Sequence, residues 1–312
     1  MDKLENIDLY NDDCFNVFSK LEEKSINLFV LDLPYNQTAC SWDKDIIPLD
    51  KMWEHIKRIM KPNGIIVMFC TAKFGYRLIH SNPKWFRYDL IWKKSRKVGF
   101  LSANKMPLRQ HENIYLFKPE QGTYHPQKTK GKPYKSKERI ESEGVYEIEN
   151  YKRTATKDTT NRHPTSIIDH ENIYLFKQEQ GTYHPQKTEG KPYKAFATKN
   201  NKQIGEVYGG KSIHNENKGD RHPSSLIDYD GDSILIYKNP NKTIHRTQKP
   251  VELVEWLIKT YSNEEETVMD FTMGSGTTAI ACLNTNRKFV GVEKDEEIFN
   301  LAQDRISEYL DL

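Results

Sequence analysis

What this 312-residue sequence has little of narrows its class before any motif is considered. Its four cysteines, Cys14, Cys40, Cys70 and Cys282, show no C-x-x-C spacing and no nearby histidine pair. That argues against a disulfide framework or a structural zinc and suits a reducing compartment. No apolar run approaches membrane-spanning length, and Met1-Asp2-Lys3-Leu4-Glu5 opens no apolar leader. A cytoplasmic protein with no membrane partner is the expectation. Apolar residues make up only 36% and mean hydropathy is −0.81, low for a compact enzyme, so part of the chain should be polar and loop-rich. Net charge is small too, +3, but unevenly spread: from Lys93 to Ile140 thirteen Lys or Arg stand against three Asp or Glu. A basic stretch of that density suits a polyanion. Lys93, Lys94, Arg96, Lys97, Lys105 and Arg109 are its candidates for phosphate contacts, which position a protein without reading sequence.

What is present alternates between buried-strand and amphipathic-helix patterns. Residues 7–10, 27–31, 65–69, 89–92 and 113–117 read as strands, as do 233–237, 267–271 and 288–292. Helical spacing joins Phe15, Phe18 and Leu21, then Met52, Trp53, Ile56, Ile59 and Met60, stopped by Lys61-Pro62-Asn63-Gly64. Pro250 suits the first turn of a helix carrying Val251, Val254, Leu257, Ile258 and Tyr261. Such alternation implies an α/β fold with a parallel or mixed sheet.

The middle of the chain repeats itself. His111–Lys135 matches His170–Lys194 with two differences, Pro119/Gln178 and Lys130/Glu189, and Arg162-His163-Pro164 returns as Arg221-His222-Pro223. The unit is about 59 residues long, 111–169 and 170–228, present twice. Two copies fall short of a solenoid, and near-identity indicates a recent duplication. One slot in a sheet cannot hold both apolar strands 113–117 and 172–176. One copy is expected to take it, and the other to add a strand or pack loosely. His125-Pro126 and His184-Pro185 are copies of each other, so no metal site is expected.

Two short stretches carry chemistry. Asp32-Leu33-Pro34-Tyr35 follows the apolar run 27–31, and ligands in open α/β sheets gather outside the carboxyl ends of strands. Pro34 biases Leu33 toward an extended conformation and turns its carbonyl outward. A carboxylate and a free carbonyl can grip the two hydrogens of an exocyclic amine, and the Tyr35 ring can stack on the base that carries it. The second stretch runs from the strand Thr267–Phe271 through Thr272-Met273-Gly274-Ser275-Gly276 into a helix, with Glu293 ending the next strand. Glycines let a cofactor approach the backbone, and an acid on the adjacent strand tip can take both ribose hydroxyls. Gly274-x-Gly276-x-x-Ala279 also fits a dinucleotide fingerprint, so an NAD-dependent oxidoreductase is a rival. One β-α unit after the turn is too little for a full dinucleotide sheet, and that reading leaves Asp32–Tyr35 and the basic middle unexplained.

Asp32–Tyr35 resembles the D-P-P-Y motif of amino-group DNA methyltransferases, with Leu33 in the second place, where the backbone carbonyl is the contributing group. Asp270-Phe271-Thr272-Met273-Gly274-Ser275-Gly276-Thr277 is similar to the S-adenosylmethionine motif of their β class, in which the catalytic motif comes first and the cofactor motif last. His245-Arg246-Thr247-Gln248-Lys249-Pro250 resembles the family's H-P-T-Q-K-P with Arg246 for proline, and Asp12-Asp13-Cys14 its G-D-C. The resemblance implies a Rossmann-like, S-adenosylmethionine-dependent methyltransferase fold, a mostly parallel sheet flanked by helices with an inserted target-recognition region. Residues 1–118 would form the catalytic half, 119–232 the recognition region with most of the duplication, and 233–312 the cofactor half. Asp13 would contact the cofactor adenine and Glu293 its ribose; Phe271, Gly274 and Gly276 would line the methionine portion, with Thr247 and Lys249 near its carboxylate. Asp32, Leu33, Pro34 and Tyr35 would hold a base flipped from double-stranded DNA. Adenine N6 is preferred as the acceptor. Cytosine N4 and a catalytically impaired DNA-binding homologue are the alternatives, and a homodimer or a cognate restriction enzyme would be compatible partners.

Overall fold

The computed structural model describes residues 6–37, 43–44, 46–130, 160–166 and 248–310, and beyond these only five two-residue strands between positions 188 and 237. Its centre is β2 (Ile26–Leu31), six consecutive buried residues. A strand buried on both faces needs apolar side chains at every position, and Ile-Asn-Leu-Phe-Val-Leu nearly supplies them. The one polar member, Asn27, accepts a hydrogen bond from the Thr267 amide at 3.2 Å.

Seven further strands complete one sheet: β1 (Ile7–Asn11), β3 (Met60–Cys70), β4 (Phe86–Val98), β5 (Arg109–Phe117), β6 (Ile236–Tyr237), β7 (Thr267–Asp270) and β8 (Lys288–Glu293). Their order is β1-β8-β7-β2-β3-β5-β4-β6. Every pairing is parallel except those of β5 with β3 and β4, so β5 alone runs against the rest. Inside β3, Ile26 faces Met60 and Leu28 faces Ile65, so Lys61–Gly64 loops out of the ladder where a break was expected.

Alternate residues of the strands feed two cores. On one face Phe29, Leu31, Ile66 and Met68 meet α1 (Cys14–Lys20), α2 (Leu49–Ile59) and α3 (Ala72–Ser81). On the other, Leu28, Val30, Val67 and Phe69 meet α4 (Val251–Tyr261), α5 (Thr277–Asn284) and α6 (Glu296–Tyr309). Each fully buried Leu, Ile or Phe contributes roughly 1.5–3 kcal/mol, and the two-sided sheet concentrates them in β2 and β3. The expected strands and helices match these elements except at three ends: Leu21 caps α1, Met60 opens β3 in place of closing α2, and Phe271 lies just past β7. Only Ile236–Tyr237 of the strand at 233–237 is among the described residues. Helix α3 has no counterpart in the sequence reading. Gly75 at its centre disguises it, and glycine is needed there because a Cβ would come within 2.5 Å of the Tyr115 ring.

The first copy of the repeat occupies the sheet. Its strand 113–117 lies in β5 between β3 and β4. The second copy's strand at 172–176 lies outside the described residues.

Candidate active site at the carboxyl edge of the sheet

Strands β2 and β7 are neighbours, with Leu28 beside Val268 and Phe29 beside Met269, so the loops that follow them leave the sheet side by side. Thr272 Oγ1 donates to the Asp32 backbone carbonyl at 3.4 Å, a contact across 240 residues of sequence. From β2 the chain continues to β3 on one side, while β7 pairs with β8 on the other. The crevice opens where strand order reverses, the usual ligand position in such sheets.

The loop after β2 is held from below by Asp43, a buried carboxylate that accepts the amides of Tyr35 (2.6 Å), Asn36 (3.0 Å) and Gln37 (2.7 Å). Three charge-assisted bonds to consecutive amides fix the backbone of the tyrosine turn. The Tyr35 ring lies against Phe74 of α3, with centroids 5.0 Å apart, and its hydroxyl donates to Asp32 Oδ1 at 2.5 Å. Burial, and then the Asp32 charge, push the Tyr35 phenol well above its ordinary pKa, so it remains a donor. Among the described residues nothing donates to the Leu33 carbonyl.

Asp32 Oδ2 pairs with the ammonium of Lys249, immediately before α4. Lys249 is therefore on the carboxylate of the first motif, a partner that the resemblance, which set it near the cofactor's carboxylate, did not imply. Its side chain is 10% exposed and its Nζ sits 5.0 Å from the Phe69 ring centroid. Burial works against its charge, but Asp32 and Glu112 outweigh burial and hold the amine above the ordinary lysine range. Glu112, on β5, is half-buried with its buried Oε2 unpartnered, while Oε1 pairs with Lys94 at 3.1 Å. Burial again opposes ionisation, and Lys249, Lys94 and Arg109 together keep Glu112 below the usual carboxylate range. Lys94, offered by the sequence as a phosphate contact, is thus a half-buried counter-ion to Glu112 stacked over Trp92 at 5.0 Å. Carboxylate and ammonium alternate along the array Asp32–Lys249–Glu112–Lys94, which keeps charge inside the edge of the sheet.

The loop after β7 is a glycine turn. Gly274 (φ +51°) and Gly276 (φ +72°) adopt left-handed conformations that cost side-chain-bearing residues energy. A Cβ at Gly274 would meet only the Thr272 carbonyl at 4.0 Å, so the turn faces open space. Glu293, at the tip of β8, accepts the Gly274 amide on Oε2 and the Asp295 amide on Oε1, both at 3.0 Å. Burial raises its pKa and these bonds oppose the rise. Asp13 caps α1 by accepting the Phe15 amide at 3.0 Å and pairs with Lys294 at 3.4 Å, beside Glu293. Carboxylates on neighbouring strand tips, with glycine backbone and open space beside Glu293, fit an adenosine with its ribose and base edge. Phe271 differs from the expectation. Its ring is buried against Phe18, with centroids 5.1 Å apart, and faces the core beneath the turn. Thr247 lies outside the described residues.

Asp270 braces the turn from behind, accepting the Thr278 hydroxyl at 2.7 Å and the Thr272 amide at 3.1 Å. Burial lifts its carboxyl to about 7 despite these bonds, against about 3.9 in an unfolded chain. A folded pKa above the unfolded one favours the fold below the unfolded value, an advantage lost as pH rises through the folded value. The loss amounts to roughly 4 kcal/mol between pH 4 and pH 8. Asp270→Asn is therefore expected to melt within a degree or two of the parent at about pH 4 and several degrees above it at about pH 8. Equal melting temperatures at both pH values would remove burial of this charge as a determinant of stability.

Of the other candidate cations, Lys97 and Lys105 are exposed and Lys93 and Arg109 half-buried. The Arg96 side chain lies outside the described residues. Sequence reading missed Asp43, Glu112, and the pair Lys73 and Arg77 on α3, which with Tyr35, Asn36, Gln37 and Phe74 line a cavity of about 110 Å³ beside the tyrosine. A larger cavity, about 370 Å³, lies at the opposite end of β3, β4 and β5 among Tyr88, Leu116, Tyr124 and Tyr261, away from this chemistry. Among the described residues no three His, Cys, Asp or Glu side chains cluster as metal ligands, and no helix is long and apolar enough to cross a membrane.

A family model described as DNA methylase, of the N6/N4 methyltransferases, matches residues 26–304. The type II methyltransferase M1.MboII of Moraxella bovis is 25% identical over 299 residues, 93% of this chain and 92% of that one. M.HpaI of Haemophilus parainfluenzae is 22% identical over 298 residues, 92% of this chain and 69% of its own length. In fold, the chain is similar to the cytosine-N4-specific PvuII DNA methyltransferase, with a TM-score of 0.52, 13% identity, and coverage of 96% of this chain and 86% of that one. It is also similar to M1.HpyAVI solved with S-adenosylmethionine, with a TM-score of 0.50, 19% identity, and coverage of 96% and 99%.

Proposed function

The chain belongs to the N6/N4 DNA methylase family, whose members methylate an exocyclic amine of DNA with S-adenosylmethionine, and from that premise we propose that its acceptor is the N6 amine of an adenine flipped out of a specific sequence. The observation that carries this reading is the pair of acceptors beside the glycine turn: the Asp32 carboxylate and the Leu33 carbonyl, with Tyr35 next to them.

An adenine amine is a poor nucleophile because its lone pair is delocalised into the ring. A carboxylate offers about four acceptor positions, and Tyr35 and Lys249 engage one on each oxygen of Asp32. Asp32 therefore retains capacity for one amine N–H while the Leu33 carbonyl takes the other. Gripping both hydrogens draws the nitrogen toward tetrahedral geometry and directs its lone pair at the neighbouring turn. S-adenosylmethionine supplies the electrophile, a methyl group on a sulfonium. The new bond is N–C, the bond lost is C–S, and the nitrogen then releases one proton. Positioning and electrostatics carry the rate, with no covalent enzyme intermediate. Asp13 and Glu293 are assigned to the adenosine moiety, and Gly274 and Gly276 to close backbone approach. Asp43 keeps Tyr35 in place to stack on the extruded base. Residues 119–232 are assigned to target recognition.

The leading carboxylate of the motif favours adenine; cytosine N4 would use the same grip. Mass analysis of nucleosides from DNA incubated with the protein and S-adenosylmethionine should show N6-methyladenine. N4-methylcytosine would move the acceptor to cytosine, and DNA retention with no methylated nucleoside would reduce the protein to a binding homologue.

A further inference from the structure

The apolar surface is concentrated in one place. Of the nine large hydrophobic side chains exposed among the described residues, four lie within nine positions: Val98, Phe100, Leu101 and Met106. Phe100 is 58% exposed, and Leu101 and Met106 54% each. They sit on the tip joining β4 to β5, at the same end of the sheet as Asp32, because β4 runs parallel to β2 and β3.

The tip has a defined backbone. Gly99 turns the chain in a left-handed conformation (φ +86°), and Phe100–Ser102 form a short 3-10 helix. The amides of Ser102 and Ala103 close on the carbonyls of Gly99 and Phe100 at 2.9 and 3.1 Å, and those of Lys105 and Met106 on Ser102 at 2.8 and 3.0 Å. Ala103 is buried beneath it. An apolar projection held this way loses little conformational entropy when it enters a partner. Its flanks are cationic: Arg96, Lys97, Lys105 and Arg109 bracket it, and no acidic residue occurs from Arg96 to Arg109. Apolar tips between cations match a nucleic-acid duplex, with phosphates outside and stacked bases within. A second protein surface would leave the exposed cations Lys97 and Lys105 without a reason.

We propose that the β4–β5 tip is a wedge that enters the base stack of double-stranded DNA, with Phe100 and Leu101 occupying the space vacated by the flipped target while Lys97 and Lys105 hold the flanking phosphates. The proposal rests on the amine-transfer reading above. The wedge supplies what Asp32 and Tyr35 lack: they hold a base once it is out, whereas the wedge keeps the stack from closing behind it.

The test uses the full chain and the double variant Phe100→Ala, Leu101→Ala. The wild-type product first identifies the methylated sequence. Single-turnover methylation is then measured on that duplex, and on the same duplex with the target base opposite an abasic site, where extrusion requires no broken pair. The variant is expected to be slower by about tenfold or more on the paired duplex and within about twofold of wild type on the abasic one. Its melting temperature should be unchanged, because the replaced side chains are exposed. Equal losses on both duplexes, or none on either, would overturn the wedge. Sedimentation showing that the variant breaks a dimer present in the wild type, with equal losses, would assign the patch to a second copy of the chain instead. A wild-type protein that methylates no DNA defeats the underlying reading, which separates that failure from failure of the wedge.

Discussion

Asp32→Ala reduces methyl transfer by about a thousandfold or more while S-adenosylmethionine affinity stays within about twofold: this is the largest effect expected from the geometry. In the proposed grip the carboxylate is one of two acceptors that would make the amine nucleophilic, and the Leu33 carbonyl alone would not fix both hydrogens. Removing it also strips Lys249 of a partner. Breaking a buried pair commonly costs about 3–5 kcal/mol, but Glu112 remains to balance the ammonium, so a moderate fall in melting temperature is expected, short of unfolding. The cofactor pocket across the crevice keeps its glycine turn and its Glu293 contacts. Single-turnover rates, calorimetric titration of S-adenosylmethionine and thermal melts on one preparation separate the terms. Loss of affinity and activity together, with a collapsed melt, would make Asp32 a folding residue.

The second large effect concerns Glu293. Its replacement by Ala should weaken S-adenosylmethionine binding about 10–100-fold, corresponding to the net loss of one charge-assisted bond of roughly 1.5–3 kcal/mol. The rate at saturating cofactor should fall only a few-fold, because Asp32 and Tyr35 are untouched. The same substitution frees the amides of Gly274 and Asp295, which Glu293 now accepts. Glu293→Gln keeps one acceptor and should recover part of the affinity. If the saturated rate collapses while binding is unaffected, the carboxylate shapes the turn and does not hold the ribose.

Much of the fold could be read from sequence because its strands are buried on both faces. Four consecutive apolar residues at 28–31 and five at 65–69 leave few alternatives, and the glycine turn sits where strand gives way to helix. Both motifs were legible for the same reason, since each lies at the carboxyl end of such a strand. What sequence did not reveal depends on pairing. Lys94 looks like any lysine of a basic stretch; only the antiparallel placement of β5 brings Glu112 within reach of its ammonium. Lys249 likewise carries no signal of its destination until α4 brings it to Asp32. Asp43 lies in a polar loop where a carboxylate is ordinary, and its three amide bonds exist only once the chain has folded back. Helix α3 was hidden by Gly75, whose reason is a tyrosine forty residues away.

The place of β5 has a consequence for the gene. The strand begins two residues before the repeat, with Arg109 and Gln110, and continues into it. If the block from His111 to Asp169 were excised, Gln110 would be joined to His170, and the next seven residues would again spell His-Glu-Asn-Ile-Tyr-Leu-Phe. Glu171 would arrive where Glu112 meets Lys94, and His184 where His125 now meets Thr260 and Asn263. Excising the later block leaves the present occupant untouched. Homologous recombination between the two tracts can therefore shorten this coding sequence in either direction without altering the catalytic sheet, so the insertion can be lost as readily as it was gained.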